Sequence, residues 1–227
     1  MTLKEIHEGL VTLYLRLNGY FTAGFIVHSS IRSHVKTELD VLAVRFPHAI
    51  EREREVSCAA ELRVPSDLTD LLVCEVKSGR YAEPQFNAPL RNDPFAIAAV
   101  LRRFGAFPDA AVPKLACDLQ TQLQPSRLAG ANNFACVSRD KVQVRAILFA
   151  VSRISRDPSQ APFIHGQHLL DYIWRCLRPT RPRPKCSTLY NYELWGDPNL
   201  VRMVRYFKSR RSMTPGSITD FESALTR

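Results

Sequence analysis

The sequence has few of the short patterns that mark common enzyme and metal-binding classes. Its 227 residues include nine glycines but no glycine-rich phosphate loop, and neither GxSxG nor HExxH occurs. The six cysteines are scattered without a CxxC pair, which argues against a zinc knuckle and, in a chain of this length, against a disulfide framework. These absences disfavour a small-molecule enzyme of the familiar phosphate-loop, serine-hydrolase or zinc-protease types.

Membrane and export signals are also absent from the sequence. No run of residues is long and apolar enough to span a bilayer, and the first ten residues lack the basic-then-apolar order of a signal peptide. With 45% hydrophobic and 23% charged residues, the composition is that of an ordinary globular protein of one generous domain. We therefore expect a cytoplasmic protein with no membrane partner.

The positive charge is concentrated in the last quarter of the chain. Residues 175–227 carry 11 Lys/Arg and 4 Asp/Glu, a surplus of seven out of a formal net charge of +9. Such a patch favours a polyanionic partner, because neutralising phosphates releases condensed counterions. A solubilising tail explains the charge almost as well.

Hydrophobic periodicity and turn residues predict one central sheet flanked by helices. Apolar residues at a 3.6-residue period predict a helix over Leu3–Leu17, ended by Asn18-Gly19. Runs of β-branched and aromatic residues predict strands over Tyr20–Ser30, Glu38–Phe46, Leu71–Lys77 and Val142–Val151. Further helices are predicted from Asp93-Pro94 to about Arg103, over Pro113–Gln124, over Gly166–Leu177, and from Asn199 to about Arg211. We therefore expect an α/β protein.

Two segments interrupt this order. Residues 48–70 are charged at their start, and the sequence allows either an irregular excursion or a helix followed by a turn. Residues 178–186 contain three prolines, which cannot continue the preceding helix. We therefore divide the chain into a domain over residues 1–177, with an insertion at about 48–70, and a basic linker and helical extension over residues 178–227 that packs on the same domain.

The residues that could carry chemistry lie on two predicted strands. Glu75 and Lys77 are two apart at the end of Leu71–Lys77, so their side chains share a face. An acidic-x-Lys triplet is common by chance, but charges at the end of an apolar strand are usually paired or bind a metal. Asp40 on the preceding strand could bring a second carboxylate beside Glu75, and the Val76 carbonyl could face a bound ion. Such a set suits Mg²⁺, with Lys77 acting on a water. A structural ion pair at the strand end is the alternative, and we favour catalysis over it.

Three motifs follow one another along the chain: a helix ending in Asn18-Gly19-Tyr20-Phe21, a strand with Glu38-Leu39-Asp40-Val41-Leu42, and a strand with Cys74-Glu75-Val76-Lys77-Ser78-Gly79. In these motifs and their order the sequence resembles the PD-(D/E)XK nuclease superfamily. The resemblance covers roughly Leu3–Arg103, with Val142–Val151 as a fourth strand. It implies a restriction-endonuclease-like core of αβββαβ topology with a central mixed sheet.

The resemblance also implies a function. We expect a Mg²⁺-dependent nuclease, for which Mn²⁺ could substitute, that hydrolyses phosphodiester bonds in nucleic acid, with DNA as the expected substrate. By this resemblance Asp40 and Glu75 ligate the metal and Lys77 acts on the attacking water. Many such nucleases act as dimers so that both strands are cut, so a homodimer is also allowed.

Two features extend or depart from the family pattern. Many members add a glutamate from the first helix; Glu8 matches it best and Glu5 is the alternative, although a solvated helix residue explains Glu8 equally well. The proline that usually precedes the aspartate is Leu39 here, which can fill the same apolar layer. The connection between the two carboxylate-bearing strands is longer than in compact members, which makes residues 48–70 an insertion.

Other polar and aromatic residues are weaker candidates. Gln85 and Asn87 could touch phosphate or the waters of a metal, although a polar turn explains them better. The basic residues of the last predicted helix, which could contact phosphates or form a plain solvated face, are Arg202, Arg205, Lys208, Arg210 and Arg211. We interpret His165, His168 and Asp171 as solvent-exposed rather than metal-binding, and Phe163, Trp174, Trp195 and Tyr206 as core rather than base-stacking residues.

Two other functions fit the sequence. One is a non-catalytic nucleic-acid-binding module on the same fold, which predicts salt-sensitive binding without cleavage. The other is a structural or assembly protein whose basic helix binds a partner protein. This second function predicts no affinity for DNA or RNA above that of any basic protein.

Overall fold

The computed structural model describes residues 1–28, 35–50, 56–79, 84–124, 134–152, 163–178 and 196–226. The helices in these ranges are α1 (Leu3–Leu17), α2 (Ala88–Asn92), α3 (Pro94–Phe104), α4 (Val112–Gln122), α5 (Gly166–Leu177), α6 (Pro198–Ser209) and α7 (Ile218–Thr226). The strands are β1 (Phe21–His28), β2 (Val35–Arg45), β3 (Thr69–Lys77), β4 (Ala135–Arg139), β5 (Val142–Ala150) and β6 (Ile164–His165). Short 3₁₀ turns occupy Ala60–Leu62 and Asp109–Ala111.

The described strands form one mixed sheet. Its order is β1-β2-β3-β5-β4, and β6 pairs with the end of β5. β1, β2 and β3 are successively antiparallel, whereas β3 and β5 are parallel, with Thr69 opposite Val142 and Lys77 opposite Ala150. A parallel pair needs a long crossover, which here includes α2, α3 and α4. Residues 70–76 of the central strand β3 are all buried, which explains its nearly continuous apolar sequence.

Helices cover both faces of the sheet. On one face α1, α5, α6 and α7 enclose a first core, whose largest buried residues are Tyr14, Phe149, Tyr172, Phe207 and Phe221. On the other face α2, α3 and α4 enclose a second core, which includes Leu42, Val73, Ile97, Leu101 and Leu119. Side chains alternate along β3, so Leu72, Cys74 and Val76 enter the first core and Leu71 and Val73 the second.

The capping residues at the ends of two helices explain why the sequence predicted their positions. α1 begins with a reciprocal cap between Thr2 and Glu5 and is followed by Gly19 at a φ of 83°. α3 begins after Asp93, whose side chain accepts a backbone N–H, and ends at Gly105 with a φ of 67°. These contacts are local in sequence, so a pattern of a few residues is enough to predict them.

The 56–68 segment is tied to the sheet by buried polar groups. Arg145 of β5 forms a salt bridge with Asp70, with Nη2 and Oδ2 2.5 Å apart, and also donates to the Leu62 carbonyl oxygen. Asn18, after α1, accepts a hydrogen bond from the Ala59 N–H at 2.7 Å. These contacts satisfy the backbone of a segment that has little regular structure of its own.

The predicted α/β class with a mixed central sheet flanked by helices is confirmed. The predicted helices and strands are observed with ends shifted by a few residues. The described parts of the 48–70 segment, residues 48–50 and 56–70, are irregular apart from one 3₁₀ turn and the start of β3. Four observed helices and strands were not predicted: α2, β4, β6 and α7. Residues 179–186 of the predicted linker, and Trp195, lie outside the described residues.

The basic extension packs closely on the first helix. A Cβ at Gly9 of α1 would lie 2.4 Å from Cε of Met203, so this glycine allows α6 to approach α1. α6 buries Leu200, Met203, Val204 and Phe207. Among the helices described, none combines the length and apolarity needed to cross a membrane.

Candidate active site

The candidate site lies where β2 and β3 separate. Their backbone pairing ends with Val41 opposite Cys74, which makes Asp40 and Glu75 the next residues along the two strands. Here Oδ2 of Asp40 accepts a hydrogen bond from the Val76 N–H at 2.7 Å, in place of a strand partner. Since the N–H and C=O of one extended residue face the same edge, the Val76 carbonyl oxygen also faces the space beside Asp40.

A β-bulge in β2 sets the direction of Asp40. Between the pairs that Leu42 and Leu39 form with β1, two residues of β2, Asp40 and Val41, lie opposite the single residue Gly24. As a result Leu39 and Leu42 both enter the second core, although regular alternation would place residues three apart on opposite faces. Asp40 is therefore turned out of the second core and toward α1, which is a known use of bulges.

Glu8 reaches this carboxylate from α1. Glu8 lies close enough to Asp40 for the charge of the Asp40 carboxylate to raise the pKa of Glu8. Lys4, one turn earlier, has its Nζ 3.4 Å from Oε1 of Glu8 and 3.1 Å from Oε2 of Glu38. Glu5, the alternative from the sequence, is exposed and used in the cap of α1. Glu8 is therefore the helix glutamate that the structure brings to the site.

Glu75 and Lys77 lie on the second-core side of β3. Lys77 Nζ donates to Oε1 of Glu75 at 2.7 Å and to Oδ1 of Asn87 at 2.8 Å. Asn87 is the residue before α2, so the crossover brings its side chain to the end of β3. Glu75 is only 2% exposed, and its Oε2 has no hydrogen-bond partner among the residues described.

The electrostatics of the site reflect the burial of its carboxyl groups. Burial, with smaller effects from neighbouring groups, raises the pKa of Glu75 to about 7. Burial, and next the charge of Asp40, raises the pKa of Glu8 to about 7. Burial also raises the pKa of Asp40, and the hydrogen bond from the Val76 N–H partly offsets this by lowering it. Three carboxyl groups thus hold protons more strongly than in water, and a nearby cation would oppose these shifts by stabilising the charged forms.

The oxygen ligands that the site offers determine which kind of metal ion could bind there. Within the described ranges, no group of three or more His, Cys, Asp or Glu side chains is arranged to enclose a metal ion. Asp40 and Glu75 offer two carboxylates and Val76 a carbonyl oxygen. Mg²⁺ commonly takes one or two carboxylates and completes its shell with water and phosphate oxygens. The donor set therefore fits a partly hydrated Mg²⁺ and does not fit a closed structural site.

The basic residues predicted to bind nucleic acid have different environments. Arg202, Arg205 and Arg211 are exposed, whereas Lys208 and Arg210 are half-buried. Arg210 packs on its own helix, with its guanidinium 5.2 Å from the Tyr206 ring centroid and a hydrogen bond to the Tyr206 hydroxyl. Gln85, two residues before Asn87, is half-buried. Their contact with nucleic acid stays a prediction.

The two histidines at the start of α5 are less exposed than the sequence predicted. We predicted His165 and His168 to be solvent-exposed, but the His168 side chain is only 15% exposed, with its Nε2 3.1 Å from Glu61 Oε2 and 3.3 Å from the Tyr14 hydroxyl. Burial lowers the pKa of both histidines. The prediction was wrong because periodicity placed the pair at a helix start without showing that the 56–68 segment covers it.

The aromatic candidates lie in or against the core. Phe163 is buried in the second core, and Trp174 and Tyr206 pack half-buried against the first. The interpretation of these three as core residues is confirmed.

Sequence reasoning missed several polar residues around the site. Lys4 was not considered, nor was the contact of Glu222 in α7 with His7 and Ser152. The position of Lys4, one turn before Glu8, could have indicated the first of these. The second depends on contacts between distant segments, which no local pattern indicates.

Comparisons of the chain with protein-family models, with curated proteins and with solved structures gave no significant match. The proposals below therefore depend on the geometry of the chain itself.

Proposed function

We propose that this protein is a Mg²⁺-dependent nuclease that hydrolyses phosphodiester bonds, with DNA as its substrate. The observation that carries the proposal is that Asp40 and Glu75 occupy adjacent positions where β2 and β3 stop pairing, with Lys77 bound to Glu75 and Glu8 beside Asp40. An ion pair that only stabilised the fold would need no unpartnered carboxylate oxygen at its centre.

The arrangement of elements supports a restriction-endonuclease-like fold for this proposal. α1 is followed by three successively antiparallel strands, then by helices of the crossover, and β5 lies parallel to β3. This corresponds to an αβββαβ core, to which β4, β6 and the C-terminal helices are added. The candidate residues lie where the backbone pairing of β2 and β3 ends.

Each residue of the site has a chemical role in the proposal. Asp40 and Glu75, with the Val76 carbonyl oxygen, would hold Mg²⁺, whose charge would stabilise the phosphate oxygens during displacement. Glu8 would lie beside Asp40 and add negative charge that favours a divalent over a monovalent cation. Two hydrogens of the Lys77 ammonium go to Glu75 and Asn87, which leaves one for a water or a phosphate oxygen. Lys77 is thereby fixed to orient the nucleophile and to stabilise developing charge.

Cleavage assays with matched variants test this function. Supercoiled plasmid and branched oligonucleotides are incubated with Mg²⁺ or Mn²⁺ and the wild type, Lys77→Ala, Asp40→Asn or Lys114→Ala. We expect metal-dependent cleavage that falls by at least about 100-fold in the first two variants, which remove groups acting on the transition state. Lys114 is exposed on α4 and serves as the control for loss of one positive charge.

The other outcomes separate the rival functions. Undiminished metal-dependent cleavage by Asp40→Asn would exclude the proposed site. Tight, salt-sensitive DNA binding without cleavage by the wild type would favour a non-catalytic binding module. Absence of both would favour a structural or assembly protein.

A further inference from the structure

A second polar cluster lies beside the candidate site, against α1. His7 of α1 is completely buried, and its Nε2 lies 2.8 Å from Oε1 of Glu222 in α7. The same carboxylate oxygen accepts a hydrogen bond from Oγ of Ser152, two residues after β5, at 3.1 Å. Because a carboxylate only accepts hydrogen bonds, the ring hydrogen of His7 lies on Nε2. Glu222 is therefore a common acceptor for donors from two distant segments.

Both donors adjoin residues of the candidate site. His7 immediately precedes Glu8 in α1. Oγ of Ser152 also lies 3.3 Å from the carbonyl oxygen of Ser78, the residue that follows Lys77. The Glu222 carboxylate thus lies between the helix that carries one half of the site and the strand end that carries the other.

We propose that Glu222 is a positioning residue that fixes α1, and with it Glu8, relative to the end of β3 for metal binding. This inference rests on the proposed function, because it assigns the metal-site role to Glu8. Within the described residues His7 has no second hydrogen-bond partner, since its Nδ1 is buried and unpartnered. The orientation of this buried ring is therefore set by Glu222 and by packing alone.

α7 is held in place by more than this carboxylate. Phe221 and Leu225 are buried in the first core, and the Phe221 ring lies 5.5 Å from that of Phe207 in α6. Ser217 and Asp220 form a reciprocal cap at the start of the helix. Changing Glu222 therefore removes two hydrogen bonds and leaves the apolar packing of α7 in place. A point variant can report on the hydrogen bonds themselves.

The test measures Mn²⁺ binding to the full chain by titration calorimetry, which needs no cleavage. Replacement of groups that orient metal ligands typically weakens metal affinity by about 10- to 100-fold, so we expect Glu222→Ala to raise the Mn²⁺ Kd by about tenfold or more. Glu222→Gln keeps an oxygen acceptor for both donors, and its Kd should stay within about threefold of the wild type. Ser223→Ala, exposed on the same helix, is the control and should leave the Kd unchanged.

Cleavage kinetics add a second measurement. We expect Glu222→Ala to lower kcat and to raise the Mn²⁺ concentration for half-maximal rate, while KM for DNA is unchanged, because the contacts that Glu222 makes are with His7 and Ser152 and not with residues proposed to bind nucleic acid. If Glu222→Ala does not fold, Ser152→Ala replaces it, since it removes one of the two donors and leaves α7 intact. An increase of about threefold in the Mn²⁺ Kd is then expected, a fraction of the effect of losing the acceptor.

Three results would overturn the inference. A wild-type Kd in Glu222→Ala, or in Ser152→Ala where that variant is used, would show that the cluster does not act on the metal site. An equal loss in Glu222→Gln would show that charge matters rather than the shared acceptor. If the wild type binds no Mn²⁺, the proposed function fails together with the inference. If Asp40→Asn abolishes Mn²⁺ binding and Glu222→Ala does not change it, the inference alone fails.

Discussion

Among single residues, Glu75 shows most clearly how the site affects the stability of the protein. It is almost completely buried, and Lys77 donates a hydrogen bond to only one of its two carboxylate oxygens. Burial raises its pKa from an ordinary value of 4.5 to about 7. A carboxyl group with a raised pKa in the folded state stabilises the fold below its unfolded pKa, and this contribution is lost as the pH rises through the folded value. Without a bound cation, Glu75 should therefore destabilise the protein above neutral pH.

The first prediction concerns Glu75→Gln in the absence of divalent cations. Between pH 5 and pH 8 the wild type should lose on the order of 3 kcal/mol of unfolding free energy from this one group, at about 1.4 kcal/mol per pKa unit. The variant has no proton to lose at this position, so its stability relative to the wild type should rise with pH by that amount. Urea unfolding at several pH values measures the difference.

The control for this prediction is Asp118→Asn, which removes a carboxylate that is exposed on α4. Its pH dependence is subtracted as that of a surface charge. A difference between Glu75→Gln and the wild type that did not vary with pH would contradict the raised pKa of the buried Glu75.

Among the secondary-structure elements, the start of α5 is packed closely against the end of β5. A Cβ on Gly166 would lie 2.3 Å from the carbonyl oxygen of Val151 and 3.0 Å from its Cγ1. This glycine therefore allows the helix to begin directly against the chain that leaves β5. Gly24 in β1 is the opposite case, since a Cβ there would have no neighbour within 4 Å.

The second prediction compares alanine at these two glycines. Gly166→Ala should destabilise the protein by about 1–3 kcal/mol, because the added methyl group forces the backbone of Val151 to move. Gly24→Ala should change stability by no more than about 0.5 kcal/mol. Urea unfolding of both variants at one pH measures the difference. Equal effects would show that α5 and the end of β5 are not in this close contact.

Local signals explain which elements the sequence predicted. α1 and α3 have capping residues at the start and glycine after the end, and β3 is one continuous apolar run. β4 was missed because its turn to β5, Asp140-Lys141, adopts positive φ at both residues without glycine, so the usual hairpin signal is absent. α7 was missed although Ser217 and Asp220 form a cap that a serine-x-x-acid motif does indicate.

The candidate site could be predicted in part for the same reason. The two-residue spacing of Glu75 and Lys77 places them on one face of any strand, and neighbouring strands bring Asp40 near. The bulge that turns Asp40 toward α1 depends on its pairing with Gly24, which no single strand sequence specifies. Glu222 lies 215 positions from His7 and 70 from Ser152, so its contacts follow only from the assembled fold.

At the scale of the whole molecule, the question is where the positive charge acts. Arg202 and Arg211, at α6 and just after it, are exposed and belong to the C-terminal surplus of positive charge. If they contact phosphates, each contact releases about one counterion on binding. The slope of log DNA affinity against log salt concentration then gives the number of these contacts.

The third prediction is a change in that salt dependence. In the Lys77→Ala background, the double substitution Arg202→Ala and Arg211→Ala should weaken binding to a duplex. It should also reduce the slope of log affinity against log salt by about 2 between roughly 50 and 200 mM salt. Lys114→Ala with Arg139→Ala removes two exposed charges elsewhere and should leave the slope unchanged. Fluorescence anisotropy measures both. Equal slopes for the two double variants would place DNA on another face.

The contact between α1 and α7 has a consequence for biosynthesis. His7 and Glu222 are 215 positions apart, so this hydrogen bond forms only after almost the whole described chain has left the ribosome. The sheet and its central carboxylates can assemble earlier, because β1, β2, β3 and β5 all precede α7. If the proposed nuclease function holds and Glu222 positions the metal site, a nascent chain forms the strands of the site before the site binds its metal with full affinity. Full activity then appears only after the last described helix has been made.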